Sequence, residues 1–193
     1  MALHDTPISM IKESLPEFLK AAKFCVDYKK IDAEWKPNDT GGCLGFPGAV
    51  LLFSVVDSIG SYFRKDKAFK VNLNGKLTSI NSDGYQHLFI LNSKYFNQSL
   101  SEEYIKVLYA KFRSYLTHNN VLGKNAIMML NDNDLPTEQK NKAFIEGVNS
   151  KTGDKVFIIV MNRFYELVEN GVKQFLIDAD TIVPNSKQGN KFN

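Results

Sequence analysis

The chain has 193 residues, 44% hydrophobic and 23% charged, a composition that supports a buried core and excludes a disordered or low-complexity protein. Its 24 Lys and Arg against 21 Asp and Glu leave a net charge of +3, mildly basic and short of the footprint of a dedicated nucleic-acid binder. Cys25 and Cys43 stand in no CxxC or Cys/His pattern, and with so few His no structural zinc site is visible, since that takes about four ligands.

The N-terminus lacks a basic region followed by an apolar run, so no secretory signal is expected. A first helix is expected from Ser14, where Ser14 and Glu17 have capping-box spacing and Pro16 suits a first turn. Phe18, Leu19, Ala22, Cys25 and Val26 form its apolar face, with Cys25 a small buried hydrophobe. Lys29, Lys30 and Asp32 lead out of it. Trp35 to Gly45 then reads as an ordered loop, because Trp35 and Leu44 have apolar area to bury. The glycine-rich GGCLGFPG that closes the loop lacks the spacing of a phosphate-binding motif and reads as a tight turn.

Phe46 to Phe63 is apolar nearly all round, as a central helix is. Its longest apolar run, Ala49 to Val56, is shorter than the roughly 20 residues that cross a bilayer. No membrane partner and a cytoplasmic location are therefore expected. Asp57 stands out on this helix, because a buried carboxylate needs a partner or a helix edge. Arg64 to Asp83 is polar, with Asn74-Gly75 as a hairpin signal. A shorter helix is expected over Tyr85 to Phe96, capped by Ser82 or Asp83.

Ser99 to Asn120 reads as one amphipathic helix. Ser99 and Glu102 have capping-box spacing, and Ile105, Leu108, Tyr109, Phe112 and Leu116 share one stripe. After Gly123 come the short apolar run NAIMML and a turn-rich surface segment. AFIEGV and KVFIIV, separated by NSKTGD, predict a small β-hairpin near residues 143–160. Met161 to Ala179 is a last amphipathic helix, and residues 184–193 are a polar tail expected to fray. One helical domain over residues 1–193 is the expectation.

Two residues near the end of the Ser99 helix have chemistry to offer. His118 is a side-chain type that exchanges protons near neutral pH, and the Arg113 fork matches a phosphate. At about 100° per residue they stand roughly 140° apart on a continuous helix. They share a pocket only if the helix tightens or ends near Thr117, or if a second chain completes the site. The plain alternative pairs Arg113 with a carboxylate such as Asp57 or Glu103 and leaves His118 facing the helix C-terminal dipole. His87 reads as a boundary residue and His4 as part of a loose terminus.

The run FRSYLTH at a helix end resembles the motif of the HEPN superfamily, an Arg followed four to six residues later by a His. That resemblance implies a mainly α, four- to five-helix bundle that commonly dimerises and brings two such motifs together. It implies Arg113 and His118 as catalytic residues of a metal-independent endoribonuclease, or as the site of an RNA-binding protein, with Ser114 and Asn119 as substrate-binding residues; Asp57, read from its place on an apolar helix, is the supporting structural anion. RNA, a second copy of the chain and an antitoxin or other protein are the implied partners, with no metal and no cofactor. Ser114 departs from the Asn, Asp or His that follows the Arg in active members. The alternative is a non-catalytic dimeric helical module that binds a protein or small ligand.

Overall fold

A computed structural model describes residues 5–31, 42–82 and 84–191. His4, Asp32, the stretch from Trp35 to Gly41, and Asp83 as a cap lie outside the described residues.

Helix α1 (Pro7–Asp27) starts earlier than Ser14. The Thr6 hydroxyl accepts the Ser9 amide at 3.2 Å, and the Ser9 hydroxyl accepts the Thr6 amide at 3.3 Å. This is a reciprocal cap, with Pro7 at a position that needs no N–H. The earlier start also puts Ile11 into the core, and it leaves Pro16 inside the helix.

Helix α2 (Gly45–Tyr62) is the centre of the fold, packed against both α1 and α5 (Met161–Asn185). Ala49, Leu52, Val56 and Ile59 on it are fully buried. By length and composition α2 would be able to cross a membrane, and half of it is buried inside the fold. Gly60 lies where a Cβ would overlap the His87 carbonyl. The backbone of Gly84–Asn92 therefore lies directly on α2. That segment is a 3-10 helix rather than the α-helix expected over Tyr85 to Phe96. It is entered through Gly84 at φ +81°, and Leu88, Phe89, Ile90 and Leu91 are buried in succession, which a helix with one wet face does not allow.

The run expected as one helix from Ser99 begins at Glu102. The cap is Ser101, whose hydroxyl accepts the Tyr104 amide at 3.0 Å. It then divides into α3 (Glu102–Val107), a π-helical segment (Leu108–Ser114) and α4 (Tyr115–Asn119). The cause of the widening is local. The Gly123 amide donates to the Lys111 carbonyl at 2.7 Å, and the Thr117 hydroxyl donates to the Arg113 carbonyl at 2.7 Å. Two carbonyls thus find partners outside the regular ladder, as happens where a helix bulges. A Cβ on Gly123 would stand 2.9 Å from Lys111 Cα, so only glycine brings that donor in.

Strands β1 (Val71–Leu73) and β2 (Lys76–Thr78) pair antiparallel across Asn74 and Gly75, both at positive φ. Strands β3 (Ala126–Met129), β4 (Phe144–Val148) and β5 (Lys155–Val160) form a second sheet in the order β3-β5-β4, with β5 parallel to β3 and antiparallel to β4. The fold class is therefore corrected: the chain is mixed α and β, with five α-helices and two sheets among the described residues, not a mainly α four- to five-helix bundle carrying one small hairpin. The overlooked strand is β3, four residues of a short apolar run, in which periodicity cannot tell strand from buried helix. The link from β3 to β4 is anchored by Asp132, which accepts Arg163 Nε at 2.9 Å, Nη2 at 3.3 Å and the Asn141 amide at 2.7 Å. From Pro184, where fraying is expected, α5 continues to Asn185. Ser186 is buried there, its hydroxyl donating to the Val183 carbonyl and accepting the Gly189 amide, both at 2.8 Å.

The Gly60 contact gives a direct check. Gly60→Ala will cost roughly 1–3 kcal/mol by overpacking. Exposed Ser54→Ala on the same helix will stay within about 0.5 kcal/mol of wild type in urea denaturation.

Candidate functional site

Arg113 sits in the last turn of the π-helical segment and reaches across to α2. Its Nε donates to Asp57 Oδ2 at 2.6 Å, with the side chains 27% and 13% exposed. The guanidinium carbon also stands 5.5 Å from the Tyr109 ring centroid, within cation–π range. Asp57 uses only the Nε of the guanidinium. The two terminal nitrogens have no hydrogen-bond partner among the described residues.

Asp57 lies three residues before Gly60, on the turn of α2 that meets the 3-10 helix. Its Oδ1 is buried and has no hydrogen-bond partner among the described residues. Burial pushes the Asp57 carboxyl above its ordinary range, against the charge and hydrogen bond of Arg113 and the field of His87. A carboxylate taken out of water resists ionisation even beside a cation. The structure thus gathers Asp57, Arg113 and His87 around one point.

His118 is elsewhere. It lies in the last turn of α4, exposed, with Asn120 capping the helix in a left-handed conformation at φ 54°. It has no hydrogen-bond partner among the described residues. The helix neither tightens nor ends before Thr117; it widens ahead of Ser114 and then resumes as α. Within one chain, then, Arg113 faces α2 and His118 faces solvent. Ser114 is half-buried beside Arg113, and Asn119 is exposed beside His118.

Chemically this is a cation oriented from behind by a carboxylate, five residues from an unrestrained imidazole. It would hold an oxyanion at the two spare nitrogens. The pairing of His87 with this place had no signal in the sequence except Gly60, which marks a close approach without naming what approaches. No group of three or more His, Cys, Asp or Glu that would hold a metal ion occurs among the described residues. Cys25 and Cys43 are free and buried. Comparisons with protein-family models, curated proteins and solved structures find no match to this chain.

The two buried carboxylates predict opposite pH dependences. Asp57 binds its proton more tightly folded than unfolded, so the stability of wild type relative to Asp57→Asn falls as pH rises through the carboxylate range. Asp132, held down to about 2 by Arg163 and the Asn141 amide, behaves the other way. Its stabilisation relative to Asp132→Asn is complete above the ordinary carboxylate range and is lost as pH falls through that range toward about 2. Urea midpoints of the two variants and wild type across the acid range read both signs. An Asp57 difference that moves in wild type's favour as pH rises counts against the burial argument.

Proposed function

We propose that this chain is a HEPN-like RNA-handling protein, a metal-independent endoribonuclease in which Arg113 holds a phosphate and His118 moves a proton at a groove completed by a second copy. The observation that carries the reading is the half-used guanidinium. Asp57 fixes Arg113 through Nε alone and leaves the terminal nitrogens for a ligand, while His118 remains exposed on the same helical run.

In this scheme a neutral His118 takes the proton of a ribose 2′-hydroxyl, and that oxygen attacks the adjacent phosphorus. Arg113 stabilises the negative charge that builds on the phosphoryl oxygens. The bond to the 5′-oxygen breaks, and that oxygen takes a proton from the second copy's His118 or from water. A 2′,3′-cyclic phosphate and a 5′-hydroxyl result, with no metal or cofactor required. Because Arg113 and His118 of one chain point apart, the catalytic pair is formed across the dimer. Ser114 and Asn119, which flank the pair, would orient the strand. An antitoxin or other protein partner would act by covering the same groove, and a cytoplasmic location goes with the reading.

The second reading is a non-catalytic dimeric helical module that binds a protein or small ligand. The 2.6 Å Asp57–Arg113 pair favours it, because an intrachain ion pair needs no ligand to explain the arginine.

Incubation with mixed RNA in EDTA decides between them. Wild type will cleave, and Arg113→Ala and His118→Ala will each lower the rate by about 100-fold or more. Cleavage undiminished in both variants, or none by any of the three proteins, overturns the nuclease. The dimeric module then stands if sedimentation shows a dimer.

A further inference from the structure

Three adjoining clefts of about 660, 440 and 140 Å³ lie between the end of α2, the β1–β2 hairpin and the C-terminal turn. Lys65 lines all three. Lys67, Lys70 and Lys76 join it in the first, and Lys187 and Lys191 in the others, beside Arg64. Among the described residues only two carboxylates enter the linings, Asp66 and Glu102, and both are already engaged. Asp66 Oδ1 accepts the amides of Ala68 at 2.8 Å and Phe69 at 3.3 Å. Glu102 pairs with Lys106 at 2.9 Å and accepts the Tyr85 hydroxyl at 3.3 Å.

Six lysines elsewhere, Lys12, Lys23, Lys94, Lys106, Lys155 and Lys173, sit in ion pairs; what distinguishes the clefts is that unpaired lysines line one concave path. Around the clefts, Lys65, Lys67, Lys76, Lys187 and Lys191 are exposed and have no anionic partner among the described residues, and Lys70 donates only to the Ser79 hydroxyl. The junction is fixed by the backbone: Lys65 is left-handed at φ 60°, and its amide donates to the Ile80 carbonyl at 2.7 Å.

We infer that these clefts are a docking track for the sugar–phosphate backbone of single-stranded RNA. Unpaired cations lining a concave path match a chain of phosphates, whose binding is driven by release of condensed counterions. The polar lining of the first cleft, including Asn74, Thr78, Ser79 and Asn81, offers donors and acceptors to sugar and base edges. Tyr62 and Leu77, the latter 70% exposed, add apolar contact for bases. A bilayer surface is flat on this scale and would touch only the rim, which favours a strand that enters. Glu102 ties the track to the proposed cleavage end, because the helical run from Glu102 to Arg113 spans roughly 16 Å at 1.5 Å per residue. The choice of RNA as the polyanion rests on the function proposed above; the uncompensated basic surface does not.

The test is fluorescence anisotropy with a fluorescein-labelled single-stranded 2′-O-methyl RNA of about 20 nucleotides, which lacks the attacking hydroxyl, titrated at several salt concentrations. Wild type and Arg113→Ala/His118→Ala will both bind, more weakly as salt rises. Lys67→Glu/Lys76→Glu/Lys187→Glu, altered only at exposed side chains and checked by circular dichroism, will lose about tenfold or more in affinity. The slope of log affinity against log salt will flatten by about 2, at roughly 0.7 per phosphate contact. The corresponding triple Gln variant will move the same way by less. Unchanged binding by the Glu variant overturns the track. So does binding to phosphatidylserine vesicles with none to RNA, or RNA binding abolished by Arg113→Ala while the lysine variant binds normally. Loss of cleavage with salt-dependent binding intact sinks the nuclease and leaves the track standing.

Discussion

A single carboxylate on the most buried helix sets the terms for the rest of the molecule. Asp57 projects from α2, whose neighbouring residues Val55 and Val56 are buried, and a charge in such a place is unfavourable unless something opposite meets it. Arg113 meets it at 2.6 Å. That contact fixes the rotation of the α3–α4 run against α2, since turning the run would withdraw the cation and leave the carboxylate alone. It also explains why Ile105, Leu108, Phe112 and Leu116 all reach the core although the helix between them is irregular. The ion pair and the apolar stripe demand compatible phases, and the π-helical segment is where the chain adjusts one to the other.

Gly123 supports that adjustment from outside. Its amide takes the Lys111 carbonyl, and the Lys111 ammonium returns to the Lys124 carbonyl at 2.8 Å. The chain after the helix is thereby stitched to its side before β3 begins. A loop that satisfies a helix carbonyl stabilises the widened turn, and in the last α-turn Leu116 packs into the core while the His118 side chain stays exposed. The different fates of Arg113 and His118 thus follow from one local rearrangement.

The apolar stripes were legible in the sequence, as was the Asn74-Gly75 turn, because periodicity and φ preference are local properties. The starts of α1 and α3 were misread because several Ser and Thr offer similar caps. Thr6 forms a reciprocal cap with Ser9 ahead of Pro7, and Ser101 caps the Tyr104 amide; these are local contacts that the spacing of Ser14 and Ser99 imitates. The parallel partner of β5 has no such local signal: β3 has no turn linking it to its neighbour, and its pairing depends on chain returning across β4. At the candidate site, Asp57 was visible as an anomaly on an apolar helix and Arg113 as a cation on an amphipathic one. The approach of His87 was not, because a glycine records only that something is close.

Net charge concealed the most. A value of +3 describes a nearly balanced surface, but balance in the sum does not require balance in space. The carboxylates Asp27, Glu146, Glu169, Asp178 and Asp180 are taken up by lysines on the α1, α5 and β4–β5 faces. Six lysines, Lys65, Lys67, Lys70, Lys76, Lys187 and Lys191, line the clefts where α2 ends, and fold topology decides where that is: the hairpin and the C-terminal turn both return to the same end of α2. Local field depends on the charges within about 8–10 Å at physiological salt, not on the molecular total. A weakly basic chain can for that reason present one strongly basic end. Glu102, spent on Lys106 and Tyr85, stands at the boundary between that end and the helical run that carries Arg113.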